Sequence, residues 1–127
     1  MKSFHTRCAA AIAIVCAFAS AHAAEHNLVK HVVCIKFKEG TKADEIRKVE
    51  DAFRALKDKI KEVISLEWGT NVSKEKRDKG FTHCFVLTFV DEKDVNVYIN
   101  HADHKAFVGL LGPVLDDVFV IDFHAKE

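Results

Sequence analysis

The stretch "VKHVVCIKFK", Val29–Lys38, decides the fold. β-Branched and aromatic residues dominate it and "EG" closes it, which predicts a strand. Side chains alternate along a strand, so His31, Val33, Ile35 and Phe37 share one face and Val32, Cys34 and Lys36 the other. A sheet with one wet face alternates apolar with clearly polar residues. Here the second face is also largely apolar. "GFTHCFVLTFV", Gly80–Val90, repeats the pattern, with His83, Phe85, Leu87 and Phe89 opposite Cys84, Val86, Thr88 and Val90. Both faces of this sheet need a cover.

Working outward, the period changes after Lys42. Ile46, Val49, Phe53, Leu56 and Ile60 recur at spacings of three and four, an apolar stripe on an amphipathic helix. "VISLEWGTNV", Val63–Val72, reads as the second strand and Gly80–Val90 as the third. "DEKDVNVYINH" opens with acidic first-turn residues and predicts a second helix that buries Val95, Val97 or Ile99. A short helix or turn runs through Leu111, broken at Gly112–Pro113, and "DVFVIDF", Asp117–Phe123, is the last strand. The order β-α-β-β-α-β predicts an α+β, ferredoxin-like antiparallel sheet with helices on one face. No helix is left for the other face, so a second copy is expected there, a homodimer packed through Val32, Cys34 and Val86.

The N-terminus reads as an export signal. Lys2 and Arg7 precede an uncharged run, Cys8–Ala19, and "SAHA" suits cleavage after Ala23. The run is about a dozen residues against the ~20 needed to span a bilayer, so no retained anchor is expected. The expectation is a secreted or periplasmic protein, free of the membrane after cleavage, with a signal at 1–23 and one domain at 24–127. Residues 1–23 hold two of the 19 basic and none of the 19 acidic residues. The remainder is therefore close to neutral, which argues against nucleic acid as a partner. The cations of "SKEKRDKG", Ser73–Gly80, are interleaved with Glu75 and Asp78 and read as a solvated loop. Cys34 and Cys84 have neither zinc-finger nor CxxC spacing and are expected to stay unbridged.

These segments, with "EWGTNVSKEKRDKGFTHCFVLTF" and "YINHADHKAFV", resemble the stress-response dimeric α/β-barrel (Dabb) family across about residues 28–124. The resemblance implies a homodimeric barrel. One plant member closes a linear polyketide ring by intramolecular aldol condensation. Its pocket maps onto His31, His83, Tyr98 and His104 here, with Tyr98 and His104 where that cyclase has its acid–base pair. Ala102 replaces a proline and Phe53 a pocket tyrosine.

The residues themselves leave three readings of "YINHADHKAFV", Tyr98–Val108, open. His101 and His104 lack the further ligands a zinc site needs, so no metal or other cofactor is expected. An imidazole near neutral pKa beside a phenol suits proton transfer next to a carbonyl, with His104 as base and Tyr98 as hydrogen-bond donor, in a lyase- or cyclase-type enzyme. The same residues suit a pocket without turnover, holding a small apolar molecule with one carbonyl or hydroxyl. They also suit an ordinary core of satisfied histidines. The pocket expected here has His31 and His83 on its floor and walls of Val33, Phe53, Phe85, Phe107 and Leu111, with His101 at a helix cap or at the pocket mouth.

Overall fold

The computed structural model describes residues 27–126, so the expected signal and its cleavage point lie outside the described residues. The order is β1 (Val29–Phe37), α1 (Ala43–Lys59), β2 (Ser65–Thr70), β3 (His83–Phe89), α2 (Glu92–Asn100), α3 (Ala102–Leu111), a 3-10 turn (Gly112–Val114) and β4 (Leu115–His124). The four strands form one antiparallel sheet in the order β2-β3-β1-β4. This is the ferredoxin-like arrangement, with three helices on one face. None of the described helices is long and apolar enough to cross a membrane.

Periodicity explains the layering. On β1 and β3 the helix-facing residues are buried, from Val29 and Ile35 to Phe85, Leu87 and Phe89. In α1 the stripe buries Val49, Phe53 and Leu56, and Ile60 follows at the C-cap. Asp44 and Glu45 sit in its first turn and Lys57 and Lys59 in its last, matching the helix dipole. Of the three candidates on α2, Val95 is buried while Val97 and Ile99 stay half-exposed.

The short helix or turn expected before Gly112 is a ten-residue helix. Its sequence is apolar on several sides, which hides the periodicity that marks a helix. The helical path breaks only at His101, whose extended backbone (φ −65°, ψ 141°) ends α2 and starts α3. The 71–82 loop is tied by side chains, Asn71 Nδ2 to Asp78 Oδ2 at 3.0 Å and Gly80 N to Asp78 Oδ1 at 2.8 Å. Gly80 takes φ +86°, and a Cβ there would meet the Lys36 side chain at 2.7 Å.

The sheet's second face is open in the single chain. β4 is an edge strand with Phe119, Ile121 and Phe123 about half-exposed beside Val32, Cys34 and Val86. Its helix-facing residues Val118 and Val120 are also 40% and 49% exposed, because no helix reaches that edge.

Candidate functional site

Three side chains from three elements meet at one end of the sheet. Tyr98 lies in the last turn of α2, its ring buried against Phe89 and His31, with centroids 5.2 and 5.6 Å away. His104 stands in the first turn of α3, beyond the His101 break, and its ring centroid is 4.5 Å from that of Tyr98. His31 rises from β1 beneath both. The break at His101 makes this possible. Its Nδ1 accepts from the Asp103 amide at 3.1 Å, so His101 caps α3 and re-aims the chain.

The polar partners define the protonation pattern. His104 Nδ1 lies 3.0 Å from the Ile99 carbonyl. A carbonyl only accepts, so the proton sits on Nδ1 and the neutral ring keeps its lone pair on Nε2. Burial lowers the His104 pKa and nearby His31 lowers it further, against a raising effect from the Ile99 carbonyl. His104 is thus a neutral acceptor at pH 7. His31 Nδ1 donates to Asp122 Oδ1 at 2.5 Å, which leaves its own Nε2 facing away from β4. Burial pushes the Tyr98 phenol well above its ordinary range, so it stays a donor. Among the described residues, that hydroxyl makes no hydrogen bond.

His83 does not join this group. It faces Ile35 on β1, while His31 faces Leu87 on β3. Four residues of strand therefore separate the two histidines, roughly 13 Å at ~3.3 Å per residue. His83 has its own partners, Thr82 Oγ1 on Nδ1 and Glu50 Oε1 on Nε2, both at 2.8 Å. Phe37 and Trp68 pack on its ring.

The expected pocket walls differ as well. Val33, Phe53, Phe85, Phe107 and Leu111 pack on one another in the core. Phe53 stacks on Phe85 at 3.9 Å and meets Phe107 edge-on at 4.8 Å. These rings pack on one another in the core beside His83.

Two residues absent from the sequence-based site matter. Asp122, the partner of His31, carries a readable signal as a lone acid inside the apolar "VFVIDF". Glu50, the partner of His83, has no such mark among the many charges of α1. No group of three or more His, Cys, Asp or Glu among the described residues is arranged to hold a metal ion.

Comparison with known proteins now places the chain. The model of the stress responsive A/B barrel domain (Dabb) matches residues 29–125. The chain belongs to this family. It is 35% identical over 95 residues to the stress-response A/B barrel domain-containing protein HS1 of Arabidopsis thaliana, covering 75% of this chain and 87% of that protein. A more distant similarity, 24% over 104 residues, links it to olivetolic acid cyclase of Cannabis sativa, covering 78% of this chain and 98% of the cyclase. The crystal structure of At3g17210 from Arabidopsis thaliana superposes with a TM-score of 0.74 at 33% identity, over 78% of this chain and 96% of that one. A dimeric ferredoxin-like protein of Thermobifida fusca shares the fold, with a TM-score of 0.67 at 19% identity over 79% and 92% of the two chains.

Proposed function

We propose that this Dabb-domain chain is an exported homodimer that binds a small apolar molecule bearing a carbonyl or hydroxyl oxygen at Tyr98 and His104. The observation that carries this reading is the 4.5 Å approach of a buried phenol to an imidazole whose Nδ1 is already committed to Ile99. That arrangement offers one donor and one acceptor to a single ligand oxygen or its neighbour. An apolar lining is also at hand. Val118 and Val120 lie half-exposed on the helix-facing side of β4, in line with Asp122 and its partner His31. The ligand's apolar body lies along that strip rather than among Phe53, Phe85 and Phe107. Nuclear magnetic resonance titration with a medium-chain methyl ketone and with an alkylphenol tests this. Shifts centred on Tyr98 and His104 that vanish in Tyr98→Phe plus His104→Gln are expected. Equal binding by that double variant would sink the reading.

A second reading, turnover, is favoured by the fixed His104 tautomer. Its Nε2 lone pair would take a proton from the carbon beside a carbonyl, and Tyr98 would donate to the oxygen where charge develops. In an aldol-type closure, that carbon then attacks a second carbonyl, whose oxygen takes the proton back from His104. The similarity to olivetolic acid cyclase suits this chemistry. The check is exchange of the ketone's α-hydrogen for deuterium in heavy water, expected to stop in His104→Gln. Exchange at the wild-type rate in that variant would rule it out.

The homodimer rests on the open sheet face and on relatives described as dimeric. Placing a charge there with Val86→Asp is expected to weaken association by several kcal/mol, measured by sedimentation. A wild-type monomer at micromolar concentration contradicts the pairing. For export, intact mass of the released protein should begin at Ala24.

A further inference from the structure

The strand register lays out the open face as a grid whose columns differ in bulk. Along β4 it carries Phe119, Ile121 and Phe123, each about half-exposed. Along β2, at the far side of the sheet, the same three rows hold Gly69, Glu67 and Ser65. A Cβ at Gly69 would meet nothing within 4 Å. A groove of about 600 Å³ runs between the columns, lined by Cys34, Gly69, Cys84, Val86 and Phe119. Within one chain Phe119 and Gly69 stand three strands apart, ~14 Å, so the ring cannot cover its own hollow.

Two copies packed face to face need a two-fold axis in the plane of the interface, and it can run across the strands or along them. An axis across the strands sets β4 on the partner's β4 and β2 on the partner's β2, bulk on bulk and hollow on hollow. Charge opposes it too. If the axis passes through the Glu67 row, that carboxylate lies on its own copy. If it passes between the Glu67 and Gly69 rows, Lys30 lies on the partner's Lys36. An axis along the strands, between β3 and β1, keeps every row on itself. β4 then crosses the partner's β2, and β1 the partner's β3. Phe119 meets the partner's Gly69, Phe123 meets the partner's Ser65, and no like charges are superposed. Glu67 and the partner's Lys30 lie one row and one strand apart, roughly 8 Å in the plane, which two long side chains can bridge between packed sheets.

We propose that the homodimer stacks with its two-fold axis along the strands, seating each Phe119 in the hollow over the partner's Gly69 and pairing each Glu67 with the partner's Lys30. This rests on the homodimer reading above and adds the geometry that reading leaves open. Cys34 and Cys84 then lie near the centre of the interface, where they act as small apolar side chains under the partner sheet. Tyr98 and His104 lie on the opposite face of each sheet.

The experiment follows the monomer–dimer equilibrium of the full chain by sedimentation, with circular dichroism to check folding. Gly69→Leu fills the hollow without a clash inside its own chain and should raise the dimer dissociation constant about a hundredfold. Phe119→Ala removes the ring that fills the hollow and should raise it about tenfold. Combined in one chain, the leucine takes the room the ring has left, and the constant should return to within about tenfold of the parent. Charge exchange should behave alike, with Lys30→Glu weakening the dimer and added Glu67→Lys restoring it. A folded Gly69→Leu chain that dimerises like the parent overturns this stacking, as does a combined variant no tighter than Gly69→Leu alone. The homodimer reading survives both of those results. A parent that stays monomeric at micromolar concentration overturns the two together. Should Gly69→Leu fail to fold, Phe119→Ala decides, and an unchanged constant there overturns the stacking.

Discussion

The two ends of the helix-facing side of the sheet hold similar residues in opposite conditions. At one end, His83 has both ring nitrogens bonded, to Thr82 and Glu50, and two aromatic rings against it. At the other, among the described residues, His31 and His104 each have one nitrogen bonded and the Tyr98 phenol beside them has no partner. A buried polar group with every partner supplied belongs to the fold, because any ligand would first have to break a bond already made. A group with capacity left over has something to offer a visitor. Residue type does not distinguish the ends. The count of bonds already made does.

The strongest way to break that contrast is His83→Ala. It removes a ring that is 7% exposed and strands the Glu50 carboxylate, which is only 20% exposed. A loss of about 2–4 kcal/mol in urea unfolding is expected, with ketone binding retained in the folded fraction. A variant as stable as the parent would show that His83 is no structural post. At the other end the signs reverse. His104→Gln should raise the dissociation constant about tenfold, or ~1.4 kcal/mol, while moving stability by less than ~1 kcal/mol. Tyr98→Phe keeps the buried ring and loses one donor, so about a fivefold loss of affinity is expected. If either variant unfolds the protein without touching binding, the contrast fails.

The smallest effects are those of pH. His104 titrates below its ordinary 6.5 and His124, held by Glu92, above it. For His104 the folded value lies below the unfolded one. Its contribution is complete above about pH 6.5 and is lost as pH falls toward the folded value. His124 runs the other way, stabilising below about pH 6.5 and losing that effect as pH rises through its folded value. Glu92, lowered mainly by His124, gives support that disappears as pH falls through its folded value. Ring-proton titrations by nuclear magnetic resonance should find His104 and His124 on opposite sides of 6.5. Coincident midpoints would remove the argument that His104 is a neutral acceptor.

The fold was legible because strands and helices announce themselves by period. Alternation in Val29–Phe37 assigned both faces, and the Ile46–Ile60 stripe assigned the helix that covers one of them. The helix α3 was harder, since Val108, Gly109, Leu110 and Leu111 leave no polar stretch to set a phase. In the site, pairing Tyr98 with His104 was legible from the short spacing around a break. Grouping His83 with His31 was not sound, because alternation gives the side of a sheet but not the distance along it. Only the register, Ile35 against His83 and Leu87 against His31, supplies that distance. Nor does an apolar residue type say whether it lines a void or fills one. The stacking of Phe53 on Phe85 decided that.

The single non-helical residue at His101 has a consequence for how this family can vary. Tyr98 and His104 lie three positions either side of it, so each is set by a separate helix and the angle between them by one peptide. A residue gained or lost within 99–103 would turn one partner about 100° around its axis relative to the other. Substitutions scattered over α2 and α3 leave that alignment intact, whereas a change of length would scramble it at once. The interval from Tyr98 to His104 is therefore expected to behave as a fixed ruler among relatives that keep the site, and to drift in length among those that have given it up.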